Sequence, residues 1–395
     1  MLDSYGQHGG GDTFGRRELP LGVMLVQLDW LLVAAIAGVV AFGLWAIAGV
    51  TAHNVSGQTG FLGRQQLYAG VGGVVFLFAA ALSPEIYRRF WRVFYCLALL
   101  MLALVPLLGV KTLGSQRWLQ IGTFQFQPSE FAKPLILIAL AGFLAERGRS
   151  MRNFSTLIGV FILVAIPSVL VFIQPDFGTA LVYGAITAAA LLIAGTPWRQ
   201  LVALAAVVAI VSVLVLSVLP SLGVQVLKKY QQDRLTGFFH PSSDPAGATY
   251  NITQSKIALG AGGLHGRGTA ASTQTNSNFL PTAESDFILA ATGEQRGFVG
   301  LSILLGLYLL VVWRGLRALV NAADGYRAVL AAGIVFAFLF QIFINAGMEM
   351  GIAPITGIPL PLVSAGGSAM IANLAALGIL VGIQMRGEGS RRRLR

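Results

Sequence analysis

Residues 250–268 read YNITQSKIALGAGGLHGRG, residues 278–287 read NFLPTAESDF, and residues 293–297 read GEQRG. These three segments belong to one long polar stretch, 228–297, in a chain that is otherwise strongly apolar. Asp286 lies where the polar stretch ends and the next apolar run begins. Apolar runs that flank one large polar region are typical of a membrane protein with a large loop outside the bilayer.

The composition of the whole chain indicates a membrane protein. Its 395 residues are 55% hydrophobic and only 11% charged, with a mean hydropathy of +0.74, whereas about a quarter of a soluble domain is charged. The single cysteine, Cys96, excludes an intrachain disulfide, and the four histidines show no metal-ligand spacing. The net charge of +11 does not indicate nucleic-acid binding, because the basic residues are distributed as membrane topology requires.

Ten segments are apolar and long enough to cross a bilayer, which takes about 20 residues. Together they predict an all-α integral membrane protein with ten transmembrane helices and one large extracytoplasmic loop, 221–285, between helices 7 and 8. The segments are 28–50, 65–83, 90–109, 129–146, 155–174, 177–196, 199–220, 286–313, 327–350 and 362–385.

The basic residues predict the orientation of these helices. Most Lys and Arg residues fall in the short loops of one side, which the positive-inside rule assigns to the cytoplasm. We therefore expect both termini to be cytoplasmic and the loops 110–128 and 351–361 to face outward. The predicted organisation is a disordered cytoplasmic tail (1–27), a transmembrane domain (28–385) and a basic cytoplasmic tail (386–395).

Charged residues inside a bilayer are costly and commonly functional. Glu130 and Lys133 are three residues apart and share a helix face. They are interpreted either as an internal ion pair, or as a positive site in which Lys133 and Arg117 meet a phosphate. Ser129 is expected to cap the helix that Glu130 and Lys133 share. Asp176 is expected to cap the helix that begins at residue 177.

Two acidic residues at the end of the polar stretch suit acid–base chemistry. Asp286 is expected at the outer surface and Glu294 roughly 12 Å deeper along the helix, and partial burial would raise a carboxylate pKa. The alternatives are that Asp286 caps the helix and that Glu294 and Arg296 pair with each other or with another helix.

Glycines and prolines mark two further segments. The cluster at 260–268 lacks the Lys-Ser/Thr ending of a nucleotide-binding loop. We expect flexible glycines lying against a membrane or a lipid headgroup, preceded by a short amphipathic interfacial helix around Ile257. Residues 345–368 contain three prolines and predict a rigid outward-facing loop, which is either a re-entrant connector or one wall of a substrate groove.

These motifs, taken in order over nearly all of 28–385, resemble those of the SEDS family (shape, elongation, division and sporulation), and the RodA type more than the FtsW type. The residues that carry the resemblance are Asp29-Trp30, Gly114-Ser-Gln-Arg117-Trp118, Gln127-Pro-Ser-Glu130-Phe-Ala-Lys133, Gln174-Pro-Asp176-Phe-Gly-Thr179, Gln254-Ser-Lys256-Ile-Ala-Leu-Gly260, Phe279-Leu-Pro281, Asp286-Phe287, Asn345…Gly347-Met348 and Gly357-Ile-Pro359-Leu-Pro361.

The resemblance implies a bacterial cytoplasmic-membrane enzyme that polymerises peptidoglycan glycan strands from lipid II at the outer face during cell elongation. It implies a class B penicillin-binding protein as the partner, and no nucleic acid. It assigns the essential carboxylate to Asp286 and important roles to Glu130 and Lys133. The supporting or substrate-binding residues expected from the same motifs are Arg117, Asp176, Lys256, Arg267, Glu294 and Ser364.

The sequence departs from the family pattern at several positions near these residues. The family usually has Leu-Pro-Glu-x-His-Thr-Asp, where this chain has Leu280-Pro-Thr-Ala-Glu284-Ser-Asp286. A proton relay through the family's histidine therefore cannot be carried over to this chain. The other departures are Glu294-Gln295 for Glu-Glu, Ser364-Ala-Gly-Gly for Ser-Tyr-Gly-Gly, and His265-Gly-Arg267-Gly for Phe-Gly-Lys-Gly.

The hypothesis that follows is that Asp286 takes a proton from a sugar hydroxyl while Lys133, Arg117 and Arg267 stabilise a pyrophosphate leaving group. A divalent cation, Mg²⁺ or Mn²⁺, held by an acidic pair and the pyrophosphate stays open. Two rival functions also stay open. One is a flippase for lipid II, and the other is a non-catalytic scaffold that activates a transpeptidase.

Overall fold

The computed structural model describes residues 27–52, 60–112, 115–122, 124–148, 153–223, 232, 234, 238 and 248–392. The expected N-terminal tail, except for its last residue, lies outside the described residues, and so do residues 393–395 and much of the large loop.

Helices dominate the described chain, and each of the ten predicted segments contains one. Seven of the described helices (α1, α4, α5, α6, α11, α12 and α13) are long and apolar enough to cross a membrane, so the predicted all-α membrane character is confirmed. The helices are α1 (Trp30–Thr51), α2 (Phe61–Ala81), α3 (Pro84–Arg89), α4 (Trp91–Leu108), α5 (Pro128–Arg147), α6 (Phe154–Ile173), α7 (Phe177–Ile193), α8 (Trp198–Val213, continued by a π-helical turn at Leu214–Val218 and a last turn at Leu219–Ser221), α9 (Ala248–Ala261), α10 (Thr273–Asn276), α11 (Ile288–Val320), α12 (Gly325–Met350) and α13 (Gly367–Arg392).

Two helices differ from the predicted segments in a way that matters for the site. Helix α11 is interrupted at Gly297, whose φ of 66° is not helical, so its first nine residues form a separate short helix. Helix α13 begins at Gly367 because residues 362–366 belong to the preceding loop, where Leu362 has a φ of 64°. Hydropathy does not distinguish a buried apolar loop from a helix, and the prediction therefore began this segment too early.

A small antiparallel sheet was not predicted. Its strands, β1 (Val110–Thr112), β2 (Ser115–Ile121) and β3 (Phe124–Phe126), pair in the order β1-β2-β3. Val110 lies opposite Trp118, and Leu119 lies opposite Phe126. The sheet fills the loop between α4 and α5 and holds Arg117 on its central strand.

The packing of α1 against α11 defines two ends of the bundle. At one end Gln295 Nε2 donates a hydrogen bond to the carbonyl of Gly49 (3.1 Å). At the other end Asp29 Oδ2 accepts hydrogen bonds from Arg314 Nε (2.6 Å) and Gln384 Nε2 (2.5 Å). We call the first the Asp286 end, because that residue precedes α11, and the second the Asp29 end.

The glycine cluster at 260–268 packs backbone to backbone on the break in α11. The amide of Arg267 donates to the carbonyl of Glu294 (2.8 Å), and the amide of Phe298 donates to the carbonyl of Gly263 (2.9 Å). A side chain at Gly262 or Gly266 would collide with the backbone of 293–296. For Gly262 and Gly266 the expectation of flexible glycines against a lipid headgroup is therefore wrong, since close approach of two backbones requires them.

A helix, α9, precedes this cluster as predicted, and its position at the membrane interface stays a prediction. Ile252, Ser255 and Ala258 form its buried stripe and face α11 and α12, while Ile257 is exposed. Helix α8 differs from α9 in having no buried stripe, because none of the residues Trp198–Val213 is buried. The described core therefore lies in the other helices, and α8 stands at its edge.

Candidate active site

Asp286 lies in a turn-rich segment directly before α11. Its amide donates to the carbonyl of Thr282 (3.1 Å), and its own carbonyl accepts from Asn345 Nδ2 (3.2 Å). The residue is partly buried. These main-chain bonds fix the position of the residue without using its carboxyl group.

The expected capping role of this segment belongs to another residue. Glu349, fully buried on α12, accepts hydrogen bonds from the amides of Leu289 (3.4 Å) and Ala290. These are among the first free amides of α11. The alternative that Asp286 is the helix cap is therefore not what the structure has, because Glu349 occupies that position.

The electrostatic surroundings of Asp286 combine burial with positive charge. Burial raises the pKa of Asp286 above the usual value for an aspartic acid, and the guanidinium groups of Arg234 and Arg117 limit the rise. A carboxyl with a raised pKa is a better proton acceptor at neutral pH than an exposed one. Of the cations expected from the sequence, only Arg117 acts on this carboxyl among the described residues.

Arg117 connects strand β2 to the start of α7. Its Nη2 donates to the carbonyl of Pro175, and its Nη1 lies 3.8 Å from Asp176 Oδ1. The Arg117 side chain is only 14% exposed, so its orientation is restricted. It contacts Asp176, which is structural, and its charge acts on Asp286, whose carboxyl has no capping role.

Asp176 is the cap of α7, as predicted. Its carboxylate accepts from the amide of Thr179 (3.3 Å), from Thr179 Oγ1 (2.9 Å) and from Ser129 Oγ (2.8 Å). The prediction that Ser129 caps α5 is wrong. That helix starts at Pro128, and the Ser129 hydroxyl joins α5 to α7 instead.

Glu130 and Lys133 form the internal ion pair that was one of the two interpretations. Lys133 Nζ lies 2.7 Å from Glu130 Oε1 and donates to Gln341 Oε1 (3.0 Å). Both side chains are almost fully buried and line a cavity of about 30 Å³ between α5, α12 and α13. This geometry favours helix packing over phosphate binding for Lys133.

Glu294 is also committed to the fold. Its two oxygens accept from the amides of Gln274 (2.9 Å) and Thr275 (2.9 Å) and from Thr275 Oγ1 (2.7 Å), so it anchors α10. Arg296 does not pair with it, because its guanidinium lies 3.9 Å from the ring centre of Trp45. Glu294 is therefore not arranged as a second acid for Asp286.

The loop 351–366 forms the wall behind Asp286. Ser364 Oγ donates to the carbonyl of Ser285 (2.6 Å) and accepts from the amide of Leu360 (2.8 Å). The amide of Ala365 donates to the carbonyl of Glu284 (2.8 Å). Most of the loop is buried. The Ser364 hydroxyl holds the segment 284–286 by bonding to the backbone of that segment.

The remaining two expected residues lie on α9 and in the glycine cluster. Lys256 is exposed and lies over Gly351, the residue that ends α12. Arg267 is exposed, and its Nε donates to the carbonyl of Ala261 (3.1 Å). Both are accessible to a ligand from outside.

Sequence reasoning missed three residues of the site. Asn345 was quoted only as part of a family motif and Glu349 was given no role, although the two are four apart and therefore lie on one face of α12. Arg234 had no such signal, because only the fold brings it near Gly357 and Asp286. Among the described residues no group of three or more His, Cys, Asp or Glu side chains is placed to hold a metal ion.

Comparison with known proteins shows the family of this chain. Residues 25–388 match the model of the family that comprises FtsW, RodA and SpoVE, described as cell cycle proteins. The peptidoglycan glycosyltransferase MrdB of Escherichia coli K12 is 36% identical over 333 residues, which are 84% of this chain and 87% of that protein.

Solved structures give the same result. A chain of a peptidoglycan synthase complex that coordinates polymerisation and crosslinking superposes with a TM-score of 0.76 at 29% identity, covering 91% of this chain and 98% of that one. The rod shape determining protein RodA of Thermus thermophilus superposes with a TM-score of 0.66 at 27% identity, covering 90% and 96%. The predicted likeness to the RodA type is confirmed, and the chain belongs to the FtsW, RodA and SpoVE family of cell cycle proteins.

Proposed function

We propose that this chain is a peptidoglycan glycosyltransferase that extends glycan strands, with Asp286 as its general base. One observation carries the assignment of the base. Glu349 caps α11, and the Asp286 carboxyl is left beside the charges of Arg117 and Arg234. The names of the relatives support the reaction class.

The reaction forms one glycosidic bond and breaks one bond to phosphate. Asp286 accepts the proton of the 4-hydroxyl of the acceptor's terminal N-acetylglucosamine. That oxygen bonds to the anomeric carbon of the lipid-linked donor, and undecaprenyl pyrophosphate leaves with the bonding electrons. A base within about 3 Å of the hydroxyl contributes on the order of 10²–10⁴ in rate.

The leaving pyrophosphate needs positive charge where its own negative charge develops. Arg117 and Arg234 are the cations that act on Asp286, and we assign them this role. Lys133 is held in its ion pair with Glu130. Arg267 and Lys256 are exposed and could meet the outer part of a lipid headgroup.

We propose ten membrane crossings with both termini in the cytoplasm, and the bacterial inner membrane as the location. Helices α2, α7 and α8 are shorter or less apolar than the seven long spans, and they complete the ten. The Asp29 end, which is rich in arginine, would face the cytoplasm. The domain limits stay 28–385 for the membrane domain, with the tails 1–27 and 386–395.

We further propose that the chain acts with a class B penicillin-binding protein during elongation. The similar chain of a synthase complex that couples polymerisation to crosslinking supports such a partner. Lipid II is the proposed substrate. A divalent cation would have to be held by Asp286 together with the pyrophosphate, since the described residues supply no acidic cluster.

The decisive experiment is polymerisation of lipid II by the purified full chain with its partner in detergent. Glycan strands that form with the native chain and not with Asp286→Ala support the proposal. Strand growth at the normal rate by the alanine variant would refute it. Transbilayer movement of lipid II in liposomes without polymer would instead indicate a flippase, and polymer made by the partner alone would indicate a scaffold.

A further inference from the structure

The Asp29 end carries a compact group of arginines on aromatic rings, far from the proposed active site. The guanidinium carbon of Arg92 lies 4.7 Å from the ring centre of Trp91, and that of Arg147 lies 5.2 Å from the ring centre of Phe143. The guanidinium carbon of Arg89 lies 5.6 Å from the ring centre of Phe90. We call the seven residues 89–92, 143, 146 and 147 the Arg–aromatic plate.

Buried contacts hold the plate in place. Trp91 is only 8% exposed, and its Nε1 donates to Glu146 Oε1 (2.9 Å). The Trp91 and Phe143 rings meet edge to face at 6.4 Å. A Cβ atom at Gly142 would lie 2.5 Å from Trp91 Cγ, so a glycine is needed where α5 approaches the indole. The Trp91 and Phe143 rings are thus fixed, and Arg92 and Arg147 lie on a rigid support.

The plate has excess positive charge that is accessible. Arg92 Nη2 pairs with Glu146 Oε2 (2.9 Å), but the two side chains are 71% and 45% exposed, and such a surface pair is weak. Glu85, the nearest acidic residue on α3, is paired with Arg327 instead. Three arginines and one glutamate therefore leave a net charge of +2 on the plate.

An apolar surface continues directly from the plate along α4. Phe90 is 45% exposed, Val93 is 60% exposed and Leu97 is 43% exposed. Val93 and Leu97 are one helical turn apart and lie on one face. The plate thus combines cations at one end with an apolar strip that runs into the part of α4 suited to the bilayer.

We propose that the Arg–aromatic plate binds the phosphate headgroup of an anionic phospholipid, whose acyl chain lies along Phe90, Val93 and Leu97. Guanidinium groups bind phosphate through paired N–H donors, and basic sites between transmembrane helices bind anionic headgroups. A soluble phosphate would match the arginines but not the apolar strip. The observations therefore favour a lipid over a free anion.

The chain offers a control with the same change in charge. Arg317 lies 4.3 Å from the ring centre of Trp313, and Arg199 lies 6.0 Å from that of Trp198. Both are arginines on tryptophans, but they are on α11 and α8 and outside the plate. A diffuse attraction of basic residues for an anionic bilayer would depend on Arg199 and Arg317 as much as on the arginines of the plate.

The test is native mass spectrometry of the purified full chain with added phosphatidylglycerol or phosphatidylcholine. We expect the native chain to retain phosphatidylglycerol preferentially. Arg92→Gln combined with Arg147→Gln should weaken that binding on the order of tenfold or more, at roughly fivefold per basic residue. Arg199→Gln combined with Arg317→Gln should leave it nearly unchanged, because neither residue belongs to the plate.

A single substitution keeps the proposal testable if the double variant does not fold. Glu146→Gln removes the only carboxylate of the plate and keeps an oxygen for the Trp91 bond, so phosphatidylglycerol should bind more tightly. Equal losses in the two double variants, or unchanged binding in the plate variant and in Glu146→Gln, would overturn the site. Competition by excess inorganic phosphate would overturn the assignment to a lipid.

Discussion

Two groups of carboxylates near the Asp286 end differ in what they bind. Glu294 and Glu349 are fully buried, and their oxygens accept from the main-chain amides of 274–275 and 289–290. Asp286 is partly buried and faces arginines. The two glutamates accept the main-chain hydrogen bonds, and the carboxyl of the aspartate is not needed for that role. An acidic residue at a helix start is therefore not assigned by its position alone.

The largest effect should come from removing the charge of Asp286. Asp286→Asn keeps the shape of the side chain and should lower polymerisation on the order of 10²–10⁴-fold. The melting temperature should stay unchanged or rise, because burial penalises the charged form. Glu284→Gln, two residues away, is the control and should retain activity. A destabilised Asp286→Asn would place this aspartate with the structural carboxylates.

Glu349 should behave in the opposite way. Glu349→Ala leaves the amides of Leu289 and Ala290 without their acceptor, which should cost on the order of 3 kcal/mol of unfolding free energy. Unfolding of the detergent-solubilised chain, followed by its melting temperature, measures this cost. Glu349→Gln retains one acceptor oxygen and should recover part of the loss. An unaltered melting temperature in the alanine variant would contradict the capping role.

The backbone around Glu294 allows a finer test of the structural group. Gly266 has a φ of +79° and lies against the backbone of 295–296, so Gly266→Ala should destabilise the chain by about 1–3 kcal/mol. Gly260 lies within α9 with open space around it. Gly260→Ala should therefore stabilise by roughly 0.5–1 kcal/mol. Equal effects at the two glycines would show that the close packing has no special cost.

The smallest effect should be a shift in the pH dependence, measured apart from the loss of rate expected when Arg117 no longer stabilises the pyrophosphate. Arg117 lowers the pKa of Asp286, so Arg117→Gln should raise that pKa. Because a general base must be ionised, the acidic limb of the pH–rate profile should move to higher pH. Arg267→Gln should leave the limb in place, since Arg267 is not among the cations acting on Asp286. A shift to lower pH in Arg117→Gln would contradict the assignment.

Local composition predicted much of this molecule. The apolar runs located a helix in each of the ten predicted segments, and the spacing of Glu130 and Lys133 offered their ion pair as one of two interpretations. The position of Asp176 predicted its cap. Each of these features depends on residues that are close in sequence, so the pattern alone contains them.

The features that were missed depend on distant contacts. Glu349 meets Ala290 across 59 positions of sequence, and Arg234 approaches Asp286 only through the folding of the large loop. The glycine cluster was assigned to lipid because its true neighbour, the backbone of 293–299, is itself a later part of the chain. Composition cannot identify such partners. The same limit explains why Ser129 was expected to cap its own helix rather than to bind Asp176.

The interruption of α11 at Gly297 has a mechanical consequence. Transmembrane helices tilt to match the thickness of the surrounding bilayer, and an unbroken helix would transmit that tilt along its whole length. Here residues 288–296 are bound to the glycine cluster and to Glu349, and Phe298 and Val299, directly after the break, bond to the same cluster. A change in bilayer thickness should thus tilt the part of α11 beyond residue 299, and the geometry around the carboxylate should be the same in thin and thick membranes.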